Sequence, residues 1–184
     1  MNESSIPSFD YRKYAILYVD DEPQSVSNFQ AYFADTFEVL IATSGEEAWD
    51  IFSREKGRIA IVVADQRMPG TTGVALLTRI KETSPRVIRV LATAFTELET
   101  AIFAVNDGAI YKYITKPWDP PALEMTLKRG MEFFLTEEER QHKVQLIDTI
   151  VQELKRIARF KSKTWRRVAQ KLLGKIEHAL KDLT

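Results

Sequence analysis

The sequence predicts an α/β fold: a five-stranded doubly wound parallel sheet followed by an α-helical tail. Three observations predict it. Ala15–Val19 (AILYV), Ile59–Ala64 (IAIVVA) and Val87–Leu91 (VIRVL) are nearly continuous apolar runs, the pattern of strands buried on both faces of a parallel sheet. Segments of this kind alternate with helix signals five times, which is the arrangement of repeated β-α units. After Pro121 no proline occurs, and apolar residues recur at helical spacing toward the C-terminus.

The elements follow in order. Strands are expected at Ala15–Val19, Glu38–Ala42, Ile59–Ala64, Val87–Leu91 and Ile110–Thr115. Pro23 suits the first position of a helix, behind the acidic Asp21 and Glu22. Ser44 with Glu47, and Thr96 with Glu99, have the spacing of a capping box. Asp119 before Pro120 starts the fifth helix, whose Leu123, Leu127, Met131 and Phe134 make one apolar stripe. That helix is expected to run on to about Phe160, with Val144, Ile147, Val151, Leu154 and Ala158 at 3,4 spacing. Phe160–Thr164 breaks the pattern, and Ser162 or Thr164 suits the cap of a second tail helix. Its stripe is Ala169, Leu173, Ile176, Leu180 and Leu183. Right-handed crossovers place helices on both faces of such a sheet, and ligand chemistry gathers at the carboxyl ends of its strands.

Composition narrows the chemistry. The 184 residues contain no cysteine, which excludes disulfides, thiol catalysis and Cys-ligated metal. His142 and His178 are the only histidines, and both stand in polar-rich helical segments. The longest apolar run, Ile59–Ala64, is far too short to cross a bilayer, and Met1–Asp10 lacks a signal-like apolar core. A cytoplasmic protein is expected. The net charge of zero divides unevenly, with −5 over residues 1–135 and +5 over 136–184. Nine Lys/Arg and no acid lie between Lys155 and Ile176.

Chemistry-bearing residues stand just after or at the ends of the predicted strands: Asp20 and Asp21, Asp65, Thr93 and Lys116. A parallel sheet brings these ends to one edge. Carboxylates about 4 Å apart repel by roughly 4 kcal/mol at an effective dielectric of 20, so a proton or a cation must intervene. Several carboxylates make a hard-oxygen site suited to Mg²⁺, and a Lys with a hydroxyl suits the oxygens of a phosphoryl group. Taken singly, each residue also has an ordinary reading. Asp20–Asp21 can merely begin a helix, Asp65 can belong to a turn, Thr93 can cap a helix, Lys116 can be a surface lysine and Tyr113 can be packing. Those readings give no reason for all of them to meet at one edge.

At these residues the sequence resembles the receiver domain of two-component response regulators. The matching pieces are Val19-Asp-Asp-Glu22, Val63-Ala-Asp-Gln-Arg-Met-Pro-Gly70, Leu91-Ala-Thr-Ala94 and Tyr113-Ile-Thr-Lys-Pro-Trp118, in the family's order. The resemblance implies a flavodoxin-like receiver over 13–135, with an N-terminal arm at 1–12 and a helical extension at 136–184. It implies that Asp65 is the phosphoacceptor and that Asp20, Asp21, Asp65 and the backbone carbonyl of Arg67 hold Mg²⁺. It implies that Thr93 and Lys116 meet the phosphoryl group, that Tyr113 moves with Thr93 as a switch, and that Lys116–Pro117 is a cis bond. Gln66-Arg67 after the acceptor and Phe95 after Thr93 depart from the commonest pattern, beside the path of a hydrolytic water. The variant pieces look like receivers found ahead of cyclic-dinucleotide phosphodiesterase, histidine kinase or hydrogenase-regulator domains.

The resemblance also implies a sensor histidine kinase or histidine phosphotransfer protein as phosphodonor, and a signalling protein, not an enzyme acting on outside substrates. A metal-dependent aspartyl phosphatase is the contrasting class. Such enzymes usually carry an Asp two residues after the nucleophile, where this chain has Arg67. For the tail, homodimerisation or partner docking through the apolar stripes is expected. DNA or RNA binding through the basic run and Trp165, and the remnant of a receiver-linked histidine kinase, are the alternatives.

Overall fold

A computed structural model describes residues 9–94, 98–158 and 163–181 of the chain. The expected capping residue Thr96, its neighbour Phe95, and Ser162 and Leu183 lie outside the described residues. The elements are β1 (Ala15–Val19), α1 (Pro23–Phe33), β2 (Glu38–Ala42), α2 (Gly45–Arg54), β3 (Ile59–Asp65), α3 (Gly73–Thr83), β4 (Ile88–Ala94), α4 (Leu98–Asn106), β5 (Lys112–Lys116), α5 (Pro120–Ala158) and α6 (Lys163–Lys181). The strands form one parallel sheet in the order β2-β1-β3-β4-β5.

The alternation of side chains along each strand splits the core in two. Leu17, Val19, Val62, Ala64 and Leu91 point to the face covered by Phe52 of α2, Leu77 and Ile80 of α3, and Ala104 of α4. Ile16, Tyr18, Ile61, Val63 and Val90 point to the opposite face, under Phe29 and Phe33 of α1 and Leu123, Leu127, Met131 and Phe134 of α5. The predicted stripe of α5 is therefore a core stripe. Its Gly130 permits close approach to the sheet, since a Cβ there would stand 3.3 Å from the Ile61 Cδ1.

Local chemistry sets the helix starts. The Ser44 hydroxyl accepts from the Glu47 N–H at 3.1 Å, while the Glu47 carboxylate accepts from the Thr43 N–H at 2.7 Å, a capping box displaced by one residue. Thr72 caps α3 through the Ala75 N–H, and Asp119 caps α5 through the Ala122 N–H at 3.0 Å. Tyr11, ahead of β1, packs beside this core and donates to Glu132 of α5 at 2.5 Å.

The chain divides into two compact units, Met1–Leu135 and Thr136–Thr184. The second contains the later part of α5 together with α6. Within it, Val151 and Ala169 are buried, and Val144, Ile147, Leu154, Leu173 and Ile176 are half-buried. The expectation that the Val144–Leu154 stripe stands open to a partner is thus corrected: the single chain already covers much of it. The exposed large apolar residues described there are Leu146, Ile150, Val168 and Leu172. Among the described residues, no helix is long and apolar enough to cross a membrane.

Candidate functional site

The carboxyl ends of β1, β3, β4 and β5 assemble the site because the strand register aligns them. Val19 pairs with Ala64, Asp65 with Ala92, Thr93 with Thr115 and Ala94 with Lys116. The residue after Val19, Asp20, and the last residue of β3, Asp65, consequently sit side by side. Asp20, Asp65 and Thr93 are buried. Lys116, at the end of β5, reaches across the edge. Its ammonium lies 2.6 Å from the Asp20 Oδ2 and also pairs with the Asp65 Oδ1. The bond after it, Lys116–Pro117, is cis.

Each carboxylate has a different hydrogen-bond shell. Asp20 Oδ2 accepts from the Tyr18 hydroxyl at 2.7 Å, the Ser25 hydroxyl at 2.7 Å and Lys116, and Oδ1 accepts from the Glu22 N–H at 3.2 Å. Asp65 Oδ2 accepts from the Arg67 N–H at 2.7 Å. The electrostatic outcome differs accordingly. Burial alone would push the Asp20 carboxyl up, but Lys116, Ser25 and Tyr18 outweigh it and hold it below the ordinary range. Burial pushes Asp65 up, Lys116 offsets only part of this, and the charge of Asp20 adds to the rise. Burial would lower Lys116, yet its two carboxylate partners raise it. One ammonium thus serves two buried carboxylates, leaving a local excess of one negative charge.

That excess bears on a metal. The carboxylates on this edge are hard oxygen donors: Asp20 and Asp65, both buried, with Asp21 exposed beside Asp20. Among the described residues, no three His, Cys, Asp or Glu side chains are gathered into a ready cation cage. Mg²⁺ does not require one. It keeps several waters and takes one or two carboxylates together with phosphate oxygens, so this donor set fits it.

The remaining predicted residues take distinct places. The Thr93 hydroxyl contacts the Ala94 carbonyl at 3.3 Å. Tyr113 is half-buried against the core cluster on the α2–α4 face. The Arg67 side chain is exposed, while its backbone N–H braces Asp65. The sequence reading missed Tyr18, Ser25 and Gly73. A Cβ on Gly73 would fall 2.3 Å from the Asp65 carbonyl oxygen, so only glycine lets α3 start this close to β3. For Tyr18 a signal was present: strand alternation puts it on the same side as Asp20, two residues on.

A family model described as the response regulator receiver domain matches residues 16–128. The hydrogenase transcriptional regulatory protein HoxA of Cupriavidus necator is 36% identical over 117 residues, 64% of this chain and 24% of HoxA. The regulatory protein AtoC of Escherichia coli is 31% identical over 135 residues, 73% of this chain and 29% of AtoC. The chain thus spans about a quarter of the length of these relatives. Among solved structures, a response regulator receiver domain protein of Clostridium thermocellum superposes with a TM-score of 0.62 at 28% identity, covering 65% of this chain and 94% of that one. The signal receiver domain of an HD domain-containing protein from Pseudomonas fluorescens gives 0.65 at 26%, covering 74% and 98%. The flavodoxin-like fold, its likeness to solved receiver domains and the matched family model agree: this chain belongs to the receiver domain family of two-component response regulators.

Proposed function

We propose that the chain accepts a phosphoryl group on Asp65 from a sensor histidine kinase or a histidine phosphotransfer protein and passes the resulting change to its helical tail. The observation that carries this reading is the meeting of Asp20, Asp65 and Lys116 at one sheet edge, with Thr93 on the neighbouring strand. A carboxylate oxygen of Asp65 attacks phosphorus. The new O–P bond forms as the N–P bond of the phosphohistidine breaks, and the leaving imidazole takes a proton from solvent. Lys116 is placed to pair with the phosphoryl oxygens, and the Arg67 N–H orients the attacking carboxylate. Asp20, Asp21, Asp65 and the Arg67 carbonyl would hold Mg²⁺, which supplies positive charge to the transferring group. Arg67 at the second position after Asp65 offers no carboxylic acid, which supports a protein that turns over only its own phosphoaspartate.

The test is intact-mass analysis after incubation with acetyl phosphate and Mg²⁺. One acid-labile phosphoryl group is expected, and none in Asp65→Asn. An undiminished mass gain in that variant removes the reading. Steady hydrolysis of a generic phosphomonoester would instead favour the phosphatase class.

For the output, the reading is a homodimer formed through the tail, with Leu146, Ile150, Val168 and Leu172 as its apolar material. At about 25 cal/mol per Å² of buried apolar surface, several such side chains suffice to bias association by a few kcal/mol. Leu146→Glu with Ile150→Glu should give monomers by light scattering while Asp65 still accepts phosphate. A wild type that stays monomeric with and without phosphorylation rejects the dimer. Binding to random DNA that weakens steeply with salt would favour the nucleic-acid alternative.

A further inference from the structure

Tyr18 is fully buried on the face of the sheet covered by α1 and α5, its ring stacked on Phe29 at 4.0 Å with the planes 10° apart. Its hydroxyl ends at the phosphoacceptor site. It donates to the Asp20 Oδ2 at 2.7 Å and lies 2.9 Å from the Ser25 hydroxyl, which donates to the same carboxylate oxygen. A carboxylate only accepts, so the Tyr18 hydroxyl is the donor to Asp20. Phe29 in turn meets the Trp118 ring edge-on, with centroids 6.1 Å apart.

The third donor to that oxygen, Lys116, is shared with Asp65. When Asp65 carries a phosphoryl group, the new negative oxygens compete for the ammonium, and Asp20 loses part of its hold on it. A buried carboxylate without fixed donors would turn away, which spoils it for a cation. Tyr18 and Ser25 have no second carboxylate to serve.

We propose that Tyr18 is a positioning residue for Asp20, holding that carboxylate in its ion-binding orientation as Lys116 turns to the phosphoryl group. Trp118 lines a cavity of about 540 Å³ with Glu22, Ser25, Asn28, Tyr32 and Lys116, which makes its indole a reporter beside the site. The proposal rests on the reading of Asp65 as phosphoacceptor beside a Mg²⁺ site. Donors that orient a metal-binding carboxylate typically change metal affinity by 10- to 100-fold when removed.

The test is a Mg²⁺ titration of the full chain, read by calorimetry and by tryptophan emission, with Trp49→Phe and Trp165→Phe so that Trp118 is the sole indole. Tyr18→Phe keeps the ring and removes one hydroxyl. The Kd for Mg²⁺ should rise about tenfold. The Mg²⁺-dependent change in Trp118 emission should shrink, and phosphorylation by acetyl phosphate should recover at saturating Mg²⁺. Ser25→Ala should shift the Kd in the same direction, and it decides the matter if Tyr18→Phe does not fold. Unchanged Mg²⁺ affinity in the folded Tyr18→Phe chain, or in Ser25→Ala where that replaces it, overturns the proposal and leaves the phosphoacceptor reading standing. A parent chain that binds no Mg²⁺ overturns both.

Discussion

Asp65 is held at a cost, and its replacement should show it. Burial and the neighbouring charge of Asp20 keep its carboxyl above the ordinary value of 3.8. A raised acid pKa subtracts stability wherever the group is ionised. The deficit is complete above the folded value and vanishes as pH falls toward the unfolded one. Asp65→Asn also turns a cluster of net charge −1 into a neutral Asp20–Lys116 pair. We therefore expect a gain of ~1 kcal/mol at neutral pH that fades on acidification toward pH 3.8, measured by urea unfolding across pH. A destabilised variant at neutral pH would contradict this balance. Asp20 has the opposite sign: its lowered carboxyl contributes stability at neutral pH, lost as pH falls through the folded value. Gly73→Ala should cost about 1–3 kcal/mol and slow phosphorylation, because its Cβ would drive against the Asp65 backbone. An unaffected midpoint and rate would show that α3 shifts without strain. At this scale the charged residues were legible in the sequence, since Asp20, Asp65 and Lys116 stand at the ends of apolar runs where charge is conspicuous. Ser25 was not, because a hydroxyl looks the same whether it is solvated or donates, and Tyr18 showed only its place in the strand, two residues before Asp20.

Strand and helix boundaries show what an apolar pattern encodes and what it omits. β1 and β2 coincide with the expected segments, and β3 runs one residue further to include Asp65. β5 begins at Lys112, although Ala109 and Ile110 are buried. The N–H groups of both residues bond the Ala104 carbonyl and close the end of α4, so they are unavailable to the sheet. β4 starts at Ile88 because the Val87 N–H is spent on Ser84 in a turn. Hydrophobicity reports burial, whereas strand limits depend on backbone partners that only the assembled fold supplies. The same gap hid Arg89. Within VIRVL it reads as an interruption, yet it is buried, donating to the carbonyls of Pro85, Val87 and Ala109, where it ties the α3–β4 loop to the α4–β5 loop. β4 and β5 also carry the two residues that the resemblance implies as a switch. Thr93 is buried on β4, and Tyr113 on β5 is half-buried beside the α4 face. In that role, a phosphoryl group on Asp65, which carries about −1.5 to −2 charge, would draw the Thr93 hydroxyl toward it. Thr93→Ala should leave phosphorylation of Asp65 largely intact while removing its effect on association of the tail. Light scattering of phosphorylated mutant and wild type gives the comparison, and equal responses would reject this route.

For the whole molecule, division into two units governs what each part can do alone. Among the described residues, the buried members of both core clusters fall between Ala15 and Phe134, within the first unit. In the second unit, Val151 and Ala169 are the buried apolar members among the described residues. Charge follows the same division, with −5 on residues 1–135 and +5 on 136–184. A fragment ending at Leu135 keeps Leu123, Leu127, Met131 and Phe134, the whole stripe by which α5 covers the sheet. The cut leaves the last carbonyls of the shortened helix to water and fraying. We expect this fragment to fold cooperatively, to accept phosphate at Asp65 at a rate within about threefold of the full chain, a difference under ~1 kcal/mol in barrier, and to remain monomeric in both states. Thermal melting, intact mass and light scattering on the fragment and the full chain measure the three properties. A fragment that fails to fold would show that the tail completes the receiver core. A fragment that dimerises on phosphorylation would move the output from the tail to the receiver itself.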